Sequence, residues 1–216
     1  MNIRIAAVLS SLVLAAAPAQ AVITSITLSG GTAQSPHGGV GVIIATPTDV
    51  TKATLNSIND VVGFNEVTNV TLVVAPQPNG FRFATLDNGN INPGLAVSSH
   101  FFVFAPNAGR TVTGTISFNQ NVIAVQRTIG QFSSAGTNQL QTGLTNFAAQ
   151  FDLENADLIT RTGAKTVSFS LSATNGNSDM FRIITSVPET STWIMLIAGF
   201  GLVGAAGRRR HTVVAA

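Results

Sequence analysis

Only 9% of the 216 residues are charged, against about 25% in a typical soluble domain. There is no cysteine, which excludes disulfides, thiolate catalysis and cysteine-ligated zinc. The formal net charge of +2 comes from the chain ends: with Arg4 and Arg208 to Arg210 set aside, residues 22–187 hold seven Lys and Arg against eight acids. A near-neutral middle speaks against nucleic-acid binding, which requires a basic patch in the folded domain.

The first element is an export signal. Arg4 supplies a positive n-region, residues 5–17 an apolar stretch, and Pro18-Ala19-Gln20-Ala21 a small-residue cleavage site. Residues 1–21 are therefore expected to be a signal peptide read by the Sec translocon and cut by signal peptidase after Ala21, with Ala19 and Ala21 as the small positions. The exported domain is expected over 22–186.

Within that domain, β-branched and polar residues alternate. Strands are expected at 23–28 and 40–45, then at 69–75 and 81–86. Residues 49–62 place Val50, Ala53, Leu55 and Ile58 near helical spacing, enough for a turn or two of helix. Phe101-Phe102-Val103-Phe104 is a continuous apolar run between Ser98-Ser99 and Pro106-Asn107, which marks a central strand. The clearest period of two is at 111–118, where Val112, Ile116 and Phe118 oppose Thr111, Thr113, Thr115 and Ser117. A further strand is expected at 121–126, and 139–151 is ambiguous. Period two returns at 165–172, and the last strand is expected at 180–185. Turns such as Pro78-Asn79-Gly80, Asp87-Asn88-Gly89 and Asn175-Gly176-Asn177 punctuate the run. The fold class expected is mainly β: a single antiparallel β-sandwich, or a jelly roll.

Residues that carry chemistry are sparse. His37 and His100 have no metal or triad spacing, and Ser133-Ser134 lacks a nucleophile elbow. Asp152, Glu154, Asn155 and Asp157 form one acidic cluster whose spacing is not that of an EF-hand. Two glycosidase carboxylates are conceivable among Glu66, Asp152, Glu154 and Asp157, but sequence leaves their separation open. The aromatic set is 13 Phe, no Tyr and one Trp, a poor supply of the amphipathic rings that sugars stack on. No catalytic residue, metal site or cofactor is expected.

The chain closes with Val187-Pro188-Glu189-Thr190-Ser191-Thr192-Trp193, an uncharged Gly-rich run to Gly207, and Arg208-Arg209-Arg210-His211. Pro188 ends any preceding strand, Trp193 suits a headgroup layer, and the run fits a single transmembrane helix shorter than the usual span of about 20 residues. The arginines form a stop-transfer block held in the cytoplasm, which puts the domain on the periplasmic side. An ordinary, unprocessed membrane anchor has the same physical features.

The order Pro-Glu, Trp, apolar helix, Arg cluster over 187–211 resembles the sorting domain of PEP-CTERM proteins, the substrates of exosortases in exopolysaccharide-producing bacteria. That likeness implies that Pro188, Glu189 and Trp193 are recognition positions and that an exosortase-like enzyme removes a transient inner-membrane anchor. Thr190 stands where that family usually has a second proline. The stretches Val62-Gly63-Phe64-Asn65-Glu66, Ser99-His100-Phe101-Phe102-Val103-Phe104 and Asp179-Met180-Phe181-Arg182-Ile183-Ile184-Thr185 resemble a recurring β-domain of such proteins. The reading is a non-enzymatic envelope or extracellular-matrix protein linked to exopolysaccharide or biofilm. The alternatives are a carbohydrate-binding or calcium-assisted adhesive module, and then a hydrolase.

Overall fold

The computed structural model of the protein describes residues 20–33, 39–47, 60–72, 94–106, 108–126, 153, 156–173, 178–187, 197 and 199–201. These residues contain the strands β1 (Ile23–Gly31), β2 (Val42–Ile43), β3 (Val62–Thr71), β4 (Ala96–Phe104), β5 (Arg110–Phe118), β6 (Val122–Gln126), β7 (Leu158–Gly163), β8 (Thr166–Ala173) and β9 (Asp179–Ser186). They make two sheets, one of order β1-β5-β8-β7 and one of order β2-β3-β4-β9-β6. Residues 20–188 form one compact unit.

The two sheets differ in what their strands bury, and the sequence pattern follows. In β5 and β8 buried residues alternate with half-exposed ones, as expected of antiparallel strands with one solvated face. In β4 and β9 nearly every residue is buried, so both faces of the five-stranded sheet are covered at its centre. A cluster including Ile26, Phe102, Phe104, Val112, Ile116, Phe118, Val167, Phe169 and Phe181 draws on both sheets. In it Phe102 stacks on Phe181 at 5.0 Å between ring centroids. The opposite face of the five-stranded sheet carries two more apolar clusters, one around Phe64, Phe101 and Met180 and one around Leu72, Val97 and Ile184.

The expectation of a wholly antiparallel architecture is corrected at one pair: β2 runs parallel to β3. The cause is a segment that changes sheets. Leu28 N–H donates to the Gly39 carbonyl at 2.6 Å and Gly41 N–H to the Ile26 carbonyl at 2.9 Å, antiparallel to β1. Directly afterwards, Val42 N–H donates to the Val61 carbonyl and Ile44 N–H to the Gly63 carbonyl, both at 3.0 Å. A chain that leaves β1 in that direction meets β3 pointing the same way.

Two sequence expectations shift. The strand expected at 69–75 is instead β3, which begins at Val62, where a helical turn was expected to end. Its register slips between Asn65 and Val67 and again between Val67 and Val70, and such bulges destroy the period of two that would reveal it. Asn69 adopts φ 57°, a left-handed conformation that Asn tolerates better than most residues. β7 was not anticipated because its burial pattern shows only Ile159 buried, as befits an edge strand. Residues 49–59, 81–86 and 139–151 lie outside the described residues. Of the expected transmembrane helix, only 197 and 199–201 are described, and they are helical; among the described residues no helix is long and apolar enough to cross a membrane.

Gly114 marks a close approach of strands in the four-stranded sheet, since a Cβ there would strike the Thr27 carbonyl and the Phe169 ring. Backbone cannot move aside cheaply, so Gly114→Ala should destabilise the domain by about 1–3 kcal/mol. Gly109→Ala, whose Cβ would meet only the Ala173 carbonyl at 3.9 Å, should leave the urea midpoint almost unchanged. Equal midpoints for the two variants would show that the close approach at Gly114 is not maintained in solution.

Candidate functional site

Arg182 lies in the middle of the apolar strand β9 and is fully buried. Its Nε donates to Glu66 Oε2 at 2.5 Å and its Nη2 to Glu66 Oε1 at 2.7 Å, a bidentate pair. Nη1 donates to Gln126 Oε1 at 2.7 Å, and the Ser99 hydroxyl donates to Glu66 Oε2 at 2.5 Å. The guanidinium carbon sits 5.7 Å from the centroid of the Phe101 ring. Glu66 is on β3, Ser99 and Phe101 on β4, Gln126 on β6, so one side chain ties four adjacent strands together. Burying two ions costs several kcal/mol each after relaxation, and only such full bonding offsets it. Among the described residues the buried Gln126 Nε2 has no hydrogen-bond partner.

On the inner face of the same sheet, His100 is fully buried and its ring lies 4.9 Å from that of Phe118. Nδ1 is 2.7 Å from Asn65 Oδ1 and Nε2 is 2.9 Å from the Thr185 hydroxyl. Asn65 Oδ1 also accepts the Ile23 N–H at 3.3 Å. Because Oδ1 is an acceptor, Nδ1 carries the proton and Nε2 accepts from Thr185. Burial pushes the ring's pKa down to about 3, so the imidazole is neutral at physiological pH. Chemically, both polar groups act as internal cross-links between strands of the five-stranded sheet.

The other chemical candidates fall apart spatially or lie outside what is described. Glu66 is held by Arg182 and Ser99. Asp157 is buried and its Oδ1 accepts the Ser172 N–H at 2.8 Å, stitching the start of β7 to the end of β8. His37, Asp87, Ser133, Ser134, Asp152, Glu154 and Asn155 lie outside the described residues, as do Pro188, Glu189, Trp193, Arg208, Arg209, Arg210 and Ala19. Among the described residues no group of three or more His, Cys, Asp or Glu could hold a metal. The Arg182–Glu66 pair itself was missed in the sequence, although a lone arginine inside Met180-Phe181-Arg182-Ile183-Ile184 is the trace of a buried ion pair.

Both ends of the folded unit meet one turn. Asn119, just after β5, has its Oδ1 accepting the Val22 N–H at 2.8 Å and its Nδ2 donating to the Gln20 carbonyl at 2.8 Å. Two residues on, the Asn121 carbonyl accepts the Ser186 N–H at 2.9 Å, and Val187 N–H reaches the Ala96 carbonyl at 3.4 Å. The expected recognition residues Pro188 and Glu189 thus follow the last bonded residue of β9 without a spacer.

Residues 186–210 match the family model described as the PEP-CTERM protein-sorting motif. No curated protein and no solved structure matches the chain. A motif of this kind supports export and sorting through an exosortase. The sorting sequence starts on the final residue of β9, which pairs with β4 on one side and β6 on the other.

Two measurements probe the internal cross-links. Glu66→Gln or Arg182→Met alone strands a buried charge or its partner and should cost about 3–5 kcal/mol, whereas the double variant should recover part of that loss in urea titrations; additive losses would contradict direct pairing. The second is pH. In the unfolded chain a histidine titrates near 6.5, and the folded ring resists protonation until about pH 3. The unfolded state therefore binds the extra proton in that window, and this stability is complete above pH 6.5 and falls with acidification by up to about 1.4 kcal/mol per pH unit. Midpoints measured from pH 7 to 5 should fall more steeply for the wild type than for His100→Gln; parallel curves would mean that His100 is not buried neutral.

Proposed function

We propose that the protein is a non-enzymatic structural component of the cell envelope or extracellular matrix, associated with exopolysaccharide. On this reading residues 22–186 form the working domain, a β-sandwich, delivered by a signal peptide through the Sec translocon and signal peptidase. The C-terminal segment is a transient inner-membrane anchor: Trp193 and the apolar run to Gly207 sit in the bilayer, Arg208, Arg209 and Arg210 stay cytoplasmic, and an exosortase reads Pro188 and Glu189. The observation that carries the reading is the sorting motif over 186–210, which begins on the last residue of β9, the strand that holds the buried Arg182–Glu66 ion pair.

A second reading, a carbohydrate-binding adhesive module, is favoured by the outer face of the four-stranded sheet. Thr27, Thr115, Ser168 and Thr160 lie side by side across all four strands, and Ser25, Ser117 and Thr166 form a parallel row. Rows of uncharged hydroxyls spaced about 4.8 Å apart offer donors and acceptors to a neutral glycan. The shortage of Tyr and Trp keeps this reading second. A glycan array on the released domain separates the two: retention of a neutral polysaccharide, abolished by Thr115→Lys, would support adhesion.

The sorting step has its own test. Proline at 190 would hold Glu189 extended, which Thr190 does only weakly. A Thr190→Pro variant should be released about two- to fivefold faster than the wild type, the equivalent of about 0.4–1 kcal/mol from one restricted residue. Replacing Arg208, Arg209 and Arg210 by neutral residues should instead loosen retention before any cut. A time course of released domain decides: equal rates for wild type and Thr190→Pro would remove position 190 from what is read. Permanent retention of every variant would leave a plain membrane anchor.

A further inference from the structure

We infer that the signal peptide is removed between Ala19 and Gln20, so that the mature protein begins at Gln20, and that Asn119 is the residue that docks this new end. The inference rests on the export reading above and moves the cut two residues upstream of the one expected from the sequence. Beyond Ala15-Ala16-Ala17, which lies within the apolar stretch 5–17, small residues separated by one position occur twice in register, as Ala19-Gln20-Ala21 and as Ala17-Pro18-Ala19. Both satisfy the A-x-A requirement equally. The pattern alone cannot choose between them.

The folded domain does choose. Ala21 has no solvent exposure and belongs to the buried apolar set. The residues on either side of it are held by one side chain: Asn119 Oδ1 accepts the Val22 N–H at 2.8 Å, and Asn119 Nδ2 donates to the Gln20 carbonyl at 2.8 Å. The Asn119 N–H adds a bond to the Val22 carbonyl at 3.3 Å, and the Asn119 carbonyl accepts from Lys165 Nζ at 2.9 Å. Asn119 thus extends the β1–β5 ladder beyond Ile23, and the compact unit starts at Gln20. A chain beginning at Val22 would lack the buried Ala21 and the Gln20 carbonyl that Asn119 grips. A chain beginning at Gln20 keeps both and places its new charge on an exposed residue, where an ammonium is solvated without cost.

The reaction is a hydrolysis: water adds at the Ala19 carbonyl carbon, the Ala19–Gln20 C–N bond breaks, and Gln20 leaves with the proton as an α-ammonium. Peptide mapping of the protein recovered from the cell envelope reads the outcome. An amino-terminal peptide starting at Gln20 is expected. One starting at Val22 would overturn the inference while leaving export intact, and one starting at Met1 would count against export itself.

A second measurement asks whether the two residues belong to the fold. Deleting Gln20 and Ala21 from the full chain preserves Ala17-Pro18-Ala19, so the processed variant should begin at Val22. It should melt roughly 2–4 °C below the processed wild type. Asn119→Ala in the full chain should lower the midpoint similarly, and should lower it less when combined with the deletion than the separate effects predict. Unchanged midpoints for both would mean that residues 20 and 21 are dispensable and that the placement of the cut has no structural basis.

Discussion

The buried pairing of Arg182 with Glu66 is the constraint around which the five-stranded sheet is assembled. The guanidinium reaches from β9 across Phe101 on β4 to the carboxylate on β3, and in the other direction to Gln126 on β6. An ion pair in this position contributes little net stability compared with apolar residues of the same volume. What it contributes is selectivity among alternatives. A slip of β9 by one residue would turn Arg182 into the apolar layer that holds Phe102 and Phe181, and leave Glu66 buried without its cation. For a sheet built from strands as uniformly apolar as Phe101-Phe102-Val103-Phe104, hydrophobic pattern alone specifies register poorly. A single bidentate contact removes the ambiguity.

The two sheets divide the molecule's roles accordingly. The five-stranded sheet is buried on both faces at its centre and houses both internal polar cross-links, Arg182 with its partners on one face and His100 between Asn65 and Thr185 on the other. The four-stranded sheet contributes one face to the shared core and turns rows of serine and threonine outward. A domain with so few charges needs some other way to stay hydrated, and hydroxyl rows supply it. They also leave that face without strong electrostatic preference.

The two ends of the unit spanning residues 20–188 are tied to the same stretch of chain. With no cysteine to cross-link them, both ends are fastened by hydrogen bonds to the stretch Asn119-Gln120-Asn121, and the sorting motif begins while β9 is still paired. Folding of the exported domain and presentation of its sorting sequence are therefore coupled by geometry: the strand that completes the larger sheet is the strand that delivers Pro188.

Period two at Thr111 to Phe118 and in the strand that became β8 was legible because each strand has one wet face, and the apolar run at Phe101 announced a central strand because nothing polar interrupted it. The sorting tail was legible for a related reason: it is read as local sequence by other machinery, so its information is contiguous. A strand was expected at 40–45, where β2 lies, but its change of partner leaves no local signal, and of β3 only the end at 69–71 was expected, since bulges break its periodicity. The pairings of Arg182 with Glu66 and of Asn119 with Gln20 and Val22 span 116, 99 and 97 residues, and no one-dimensional pattern links positions so far apart. The sequence by itself determined what is sorted and which strands are half-wet. Only the tertiary structure decided which charges meet, because a buried ion takes whichever partner the fold brings within bonding distance.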